Sequence, residues 1–368
     1  MAAETTYDES APQKPRGGSR VALWDNAKFL LIVLVVVGHL ISTVRTETDL
    51  GFALYTWIYL FHMPAMILLS GIFAKPDLSS KVVVSTAQLL GTWLVWELIW
   101  AGIRLLGGEQ AAGERFLVSP AWTLWFLVSL ATMRILFPYV ARLRYPLTCS
   151  VVIALLAGLS PVIGSEFSAS RTLCLLPFFV LGWKLRAMGW SEREWFARPN
   201  GRVRVVAWGA LAAVAAGIVL VPHLEDQWRI DTWLTWTDHY GLLFADAPPF
   251  GFAPAHTATL VLVGMSLRLG LLAIAAGMTL ALLIISPRGE SRMTAWGAQT
   301  LSVYLLHGPI VWALRQFGVI DAIGALGVSG IAILIAAAIV LTIILASRPI
   351  ARLVGLITTP RIGWLFTR

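Results

Sequence analysis

Four ionisable side chains lie inside long apolar runs of this chain: His39, His62, Glu97 and His307. An ionisable group held away from water is costly, so each position is by default a candidate functional site. A histidine with a carboxylate partner suits general-base chemistry, because the free imidazole titrates near neutrality. Each residue alone has a plainer reading, a neutral ring or protonated carboxyl that hydrogen-bonds a neighbouring helix. Counted from one end of their helices at about 1.5 Å per residue, however, all four fall in one slab roughly 16 to 22 Å deep. That agreement favours a shared polar site. Metal binding by the three histidines is not expected, since no two have the i to i+4 spacing that preorganises ligands on a helix.

The elements that must position these groups are membrane spans. The chain has 368 residues, 58% of them hydrophobic and 13% charged, with a mean hydropathy of +0.76. Soluble domains carry about 25% charged residues, so a water-soluble enzyme is excluded. Eight uncharged stretches approach the length of a span: 29–44, 50–74, 116–133, 145–165, 205–224, 269–287, 293–314 and 322–347. Two more complete the set: 82–103, apolar except for Glu97, and 172–183, short unless Lys184 and Arg186 snorkel. The expectation is therefore an all-α polytopic membrane protein of ten helices, one membrane domain over 20–347. A disordered tail (1–19) precedes it and a basic tail (348–368) follows, with too few residues for a soluble C-terminal domain.

Charge sets the expected orientation. Nineteen Lys and Arg fall in the tails and loops on the side of the N-terminus, against five in the opposite loops. The positive-inside rule then puts both termini in the cytoplasm of a bacterial inner membrane. This topology already accounts for the formal net charge of +8, leaving no case for nucleic-acid binding. Cys149 and Cys174 are predicted at opposite ends of neighbouring helices, too far apart for a disulfide. The long outer loop 223–256 is rich in aromatic residues and reads either as an interfacial belt or as a lid over an amphipathic acceptor. Lys28, Lys81 and Arg144, at the cytoplasmic helix ends, suit topology and headgroup contact, and also the phosphates of a cytosolic donor. A transporter or flippase of a lipid-linked sugar would also want a polar tunnel and an aromatic outer loop, but no internal repeat is visible.

Five motifs in order carry a resemblance. They are the stretch from Arg20 through Trp24, Asp25, Asn26 and Lys28 to Gly38-His39; Phe61-His62-Met63-Pro64 with Leu69-Ser70-Gly71; and Leu124-Trp125-Phe126-Leu127. Leu176-Pro177-Phe178-Phe179-Val180-Leu181-Gly182 and Ser302-Val303-Tyr304-Leu305-Leu306-His307-Gly308 complete the set. Together they resemble the bacterial acyltransferase 3 family, nearest its fucose 4-O-acetylase-like branch. The resemblance implies an O-acyltransferase that moves an acetyl or short acyl group from cytoplasmic acyl-CoA to a hydroxyl of an envelope carbohydrate or glycolipid. It makes His39 the catalytic candidate and carries His62, Tyr304 and His307 into the site, whereas Glu97 rests on burial and depth alone. Combined with the chemistry, His39 is the expected base, Glu97 or His62 its orienter, and Tyr304 or Asn26 a donor to the carbonyl oxyanion. Asp25, Asn26 and Trp125 are the expected substrate contacts.

Overall fold

The computed structural model describes residues 22–108, 116–358 and 363–365. The expected tail 1–19, Arg20, the loop charges Glu109, Glu114 and Arg115, and part of the basic tail lie outside the described residues. Among the described residues every regular element is helical. Ten helices coincide with the ten predicted segments: α1 (Ala22–Ile41), α2 (Asp49–Ile72), α3 (Ser80–Leu106), α4 (Trp125–Val140) and α5 (Pro146–Leu156), then α6 (Ala169–Ala187), α7 (Gly201–Val219), α8 (Thr257–Ile285), α9 (Thr300–Gln316) and α10 (Val328–Leu345). The expected basic tail begins as a further helix, α11 (Arg348–Thr358), packed against α3, α9 and α10.

Seven of these helices are long and apolar enough to cross a membrane; α5, α6 and α9 are not in that set. The reason differs between them. The apolar helix around α5 is short, whereas α6 and α9 are largely enclosed by other helices and so carry polar side chains that no lipid-facing helix would. Two predicted boundaries move for a related reason. Flanking charges placed span ends at Arg134 and Arg268, yet α4 and α8 run straight through both. Arg268 is buried and donates to the carbonyls of Ala154 (3.4 Å) and Asp238 (3.0 Å), so its charge is accommodated by protein rather than by water.

α1 is the central helix, packed against α2, α9 and α10, while α2 also meets α6, α7 and α8. α3 and α7 sit at the periphery, and α7 turns Val205, Val206 and Trp208 outward. A close crossing joins α2 to α6. A Cβ on Gly71 would lie 2.0 Å from the carbonyl oxygen of Phe179, and one on Gly182 would lie 2.1 Å from that of Leu68. These two glycines belong to separate motifs, and the structure gives them one purpose, to let two backbones touch. The prediction is that Gly71→Ala overpacks this crossing by about 1–3 kcal/mol. A thermal melt of the detergent-solubilised protein checks it, with a lowered midpoint expected.

Candidate active site

His39 ends the first motif near the C-terminal end of α1, and its ring has two aromatic neighbours. Trp122 and His307 each stack near it, with ring centroids 5.0 Å away. The His39 Nδ1 to His307 Nε2 distance is 3.0 Å, and His307 Nδ1 lies 3.0 Å from the carbonyl oxygen of Val303. Because a carbonyl can only accept, His307 Nδ1 bears the proton and its Nε2 accepts from His39 Nδ1–H. His39 Nε2 is left with a lone pair. Of the three histidines, His39 alone is half-buried, and it lines a cavity of about 210 Å³.

His62 enters the same cavity from α2, with Nδ1 bound to the carbonyl of Ile58 at 2.8 Å. The two supporting histidines are built alike: each sits two residues before a proline inside its helix, Pro64 or Pro309, and folds back on the carbonyl four residues earlier. Gly38 lets the Tyr59 ring approach α1, where a Cβ would meet it at 2.9 Å. Arg315 donates to the backbone carbonyl of His39 (2.7 Å) and to Ser42 Oγ while lying over Trp122, and so fixes the end of α1.

Several expected roles are corrected. Glu97 does not orient His39. Its carboxylate accepts from the backbone N–H of Ala121 (3.0 Å) and from Trp93 Nε1 (3.1 Å), tying α3 to the turn Trp122–Leu124 that presents Trp122 and Thr123 to the cavity. Orientation comes from His307 instead. Tyr304 lines the cavity, but its hydroxyl donates to the carbonyl of Thr123. Asn26 lies elsewhere: its amide donates to the carbonyls of Pro287 (2.9 Å) and Gly289 (3.0 Å) and accepts from Thr294 Oγ1, stitching the α8–α9 connection to α1. Asp25 is buried beside it, paired with Lys28 at 3.2 Å, its carbonyl pressed against Gly297. Trp125 does line the cavity. Its contacts there include Arg171, whose guanidinium lies 4.8 Å from the Trp125 ring centroid.

A second cavity of about 350 Å³ lies on the other side of Tyr304, which lines both. Its walls include Leu69, Phe126 and Leu301, with Lys28 and Arg134 as its cations. A third, of about 210 Å³, shares Ser70, Phe73 and Arg134 with it and adds Lys75 and Lys81. Arg144 is not part of this group; it is exposed and packs over Tyr145.

The loop 223–256 covers the histidine cavity. Leu234, Thr235 and Trp236 line it, while Trp233, Tyr240 and Phe244 are buried beneath the loop. Trp236 holds a left-handed backbone (φ 60°), and its carbonyl accepts from Ser170 Oγ at 2.7 Å. Asp231 latches the loop to the start of α2: Arg45 (2.7 Å) and Arg229 (2.8 Å) both donate to it. Burial opposes the charge on Asp231, but the two arginines outweigh it and hold the carboxyl below the usual carboxylate range. Part of the loop is thus a packed cover.

The motifs now have a common geometry, and one match spans all ten helices. The family model described as "Acyltransferase domain" covers residues 21–347. The chain belongs to the acyltransferase-3 family. It is also 28% identical over 180 residues to Nodulation protein NolL of Sinorhizobium fredii (strain NBRC 101917 / NGR234), covering 45% of this chain and 48% of that protein. The chain thus spans about half the length of that curated relative. No solved structure matches it. Within this family member, the sequence missed Trp122, Tyr59, Arg171 and Arg315. Both arginines lie near helix ends, where a charge that turns inward looks the same in sequence as one that turns to water. No group of three His, Cys, Asp or Glu side chains poised for a metal occurs among the described residues.

A carboxylate whose titration is depressed by folding stabilises the fold at pH above its unfolded value, and that contribution fades as pH falls through the folded value. The Asp231 latch is therefore expected to be intact throughout the neutral range. Asp231→Asn leaves two arginines without their charge partner, so faster thiol labelling of a Thr235→Cys reporter is expected in that background. An unchanged labelling rate counts against the latch.

Proposed function

We propose that this protein is a membrane O-acyltransferase of the bacterial inner membrane. It moves an acetyl or short acyl group from cytoplasmic acyl-CoA to a hydroxyl of an envelope carbohydrate or glycolipid. The observation that carries this reading is the His39 ring. Its Nδ1–H is engaged by His307, its Nε2 keeps a free lone pair on a ring that lines a covered cavity, and that cavity shares Tyr304 with a second cavity lined by Lys28 and Arg134.

The chemistry follows from that arrangement. His39 Nε2 removes the proton of the acceptor hydroxyl as its oxygen attacks the thioester carbonyl, forming the new C–O bond. Collapse of the tetrahedral intermediate breaks the C–S bond, and the CoA thiolate takes the proton back from His39. Orientation by His307 works as in other base–orienter pairs, holding the tautomer and accepting from the imidazolium that forms. The histidine cavity, with its aromatic walls, suits the acceptor, and its loop cover limits loss of thioester to water. Lys28 and Lys81, joined by Arg134 and Lys75 at the mouth of the second and third cavities, suit the donor phosphates. Arg144 is left to the membrane surface.

This reading requires ten spans with both termini cytoplasmic. The nineteen-to-five partition of basic residues supports it, as does the placement of the loop cover on the side with fewer of them. In intact cells an impermeant thiol reagent should label Gln227→Cys but reach Glu192→Cys only after permeabilisation. The opposite pattern rejects the orientation.

His39→Gln keeps much of the ring's volume and polarity. Removing a general base costs roughly 2 to 4 orders of magnitude in turnover, and that loss is expected in well-folded variant protein at saturating donor. The assay is release of CoA thiol coupled to acylation of envelope glycolipid. Near-normal turnover sinks the base assignment, and wild-type transport of a lipid-linked sugar without thiol release points to the flippase class.

A further inference from the structure

In acyl transfer the negative charge of the tetrahedral intermediate gathers on the former thioester oxygen. The two donors that the sequence offers for it are both engaged, Tyr304 with the Thr123 carbonyl and Asn26 with the α8–α9 connection. His62 is also unsuited, because its Nδ1–H is held by Ile58 and its Nε2 is an acceptor.

The histidine cavity holds one other strong donor. Arg171 stands in the first turn of α6 and lines the cavity with His39. Its Nε donates to the carbonyl of Thr235 (3.1 Å), and its guanidinium lies over the Trp125 ring. Together these contacts fix the plane of the group. Its terminal nitrogens make no hydrogen bond or ion pair among the described residues, and no carboxylate lines the cavity. Thr123, only 2% exposed, lines the same cavity and has a hydroxyl with no hydrogen-bond partner among the described residues. A fixed cation and an unpartnered buried hydroxyl in one cavity are suited to a negatively charged oxygen that is absent from the resting protein.

Resting on the acyl-transfer reading above, we propose that Arg171 stabilises the oxyanion of the tetrahedral intermediate, with the Thr123 hydroxyl as a second donor. The charge is preorganised where it is needed and shielded from water, the arrangement in which such donors are most effective. The Trp125 motif residue then acts as the shelf that holds the guanidinium flat.

The test uses full-length protein in membrane vesicles, with acetyl-CoA as donor and CoA thiol release and glycolipid acylation as readouts. Free CoA, which lacks the carbonyl, is the probe of donor binding. Arg171→Gln should lower kcat by about 10²- to 10³-fold, the range for loss of an oxyanion donor, with the KM for acetyl-CoA and the affinity for CoA little changed. Because Arg171 also anchors Thr235, two gentler variants guard against a folding defect. Arg171→Lys should retain an intermediate kcat, and the near-isosteric Thr123→Val should lower kcat without altering CoA affinity. Wild-type-like kcat in both Arg171→Gln and Thr123→Val overturns the assignment. So does a loss of CoA affinity matching the loss in rate, or a raised KM for the glycolipid at unchanged kcat, which would make Arg171 a holder of an anionic acceptor. Wild-type protein that releases no thiol from acetyl-CoA overturns the acyltransferase reading itself, an outcome distinct from active Arg171 variants.

Discussion

A polar ring deep in an apolar bundle must find its partners within the protein, since lipid offers none. The hydrogen bond from His39 to His307 is where this constraint acts most strongly. It ties α1 to α9, and the Val303 carbonyl completes the chain, so every nitrogen but one is engaged. The remaining nitrogen, His39 Nε2, keeps its lone pair, on a ring that lines the cavity. Satisfying the ring and aiming it are a single structural act.

Much of the surrounding architecture keeps that pair in register. Arg315 holds the carbonyl of His39, and Trp122 stacks near the ring. Glu97 holds the turn that carries Trp122, from the outermost of the helices near the site. A carboxylate accepting two donors in an apolar setting has little freedom, which makes it a good anchor for a short turn. The Gly71 and Gly182 contacts serve at a longer range, since the closeness of α2 and α6 sets where His62 and Arg171 reach the cavity.

Tyr304 divides the interior. Its ring is a wall of both the histidine cavity and the cation-mouthed one, and its hydroxyl is pinned to Thr123. The two chambers thus share one aromatic side chain as a common wall. The loop cover repeats the principle on the other side, where Asp231 and the carbonyls of Thr235 and Trp236 bind it to arginines and a serine of the helices. A charge held among carbonyls and ion pairs costs less than one facing lipid, which is why Arg171, Arg268 and Arg315 sit against backbone carbonyls.

The positions of ten helices, the level of His39, His62, Glu97 and His307 within them, and the extent of the outer loop were all legible in the sequence. Each depends on a local property, the transfer energy of a run of side chains and the 1.5 Å rise that converts residue number to depth. Which groups touch was not legible. His307 rather than Glu97 orients His39, Asn26 is a stitch in a loop, and Arg171 and Arg315 turn inward although their spacing looked like that of surface charges. Those outcomes depend on how far each helix is rotated about its axis and how closely it approaches its neighbours. That is decided by side chains on other helices, such as the ring admitted by Gly38 and the backbone admitted by Gly71, and no single segment of sequence contains both halves of such a contact.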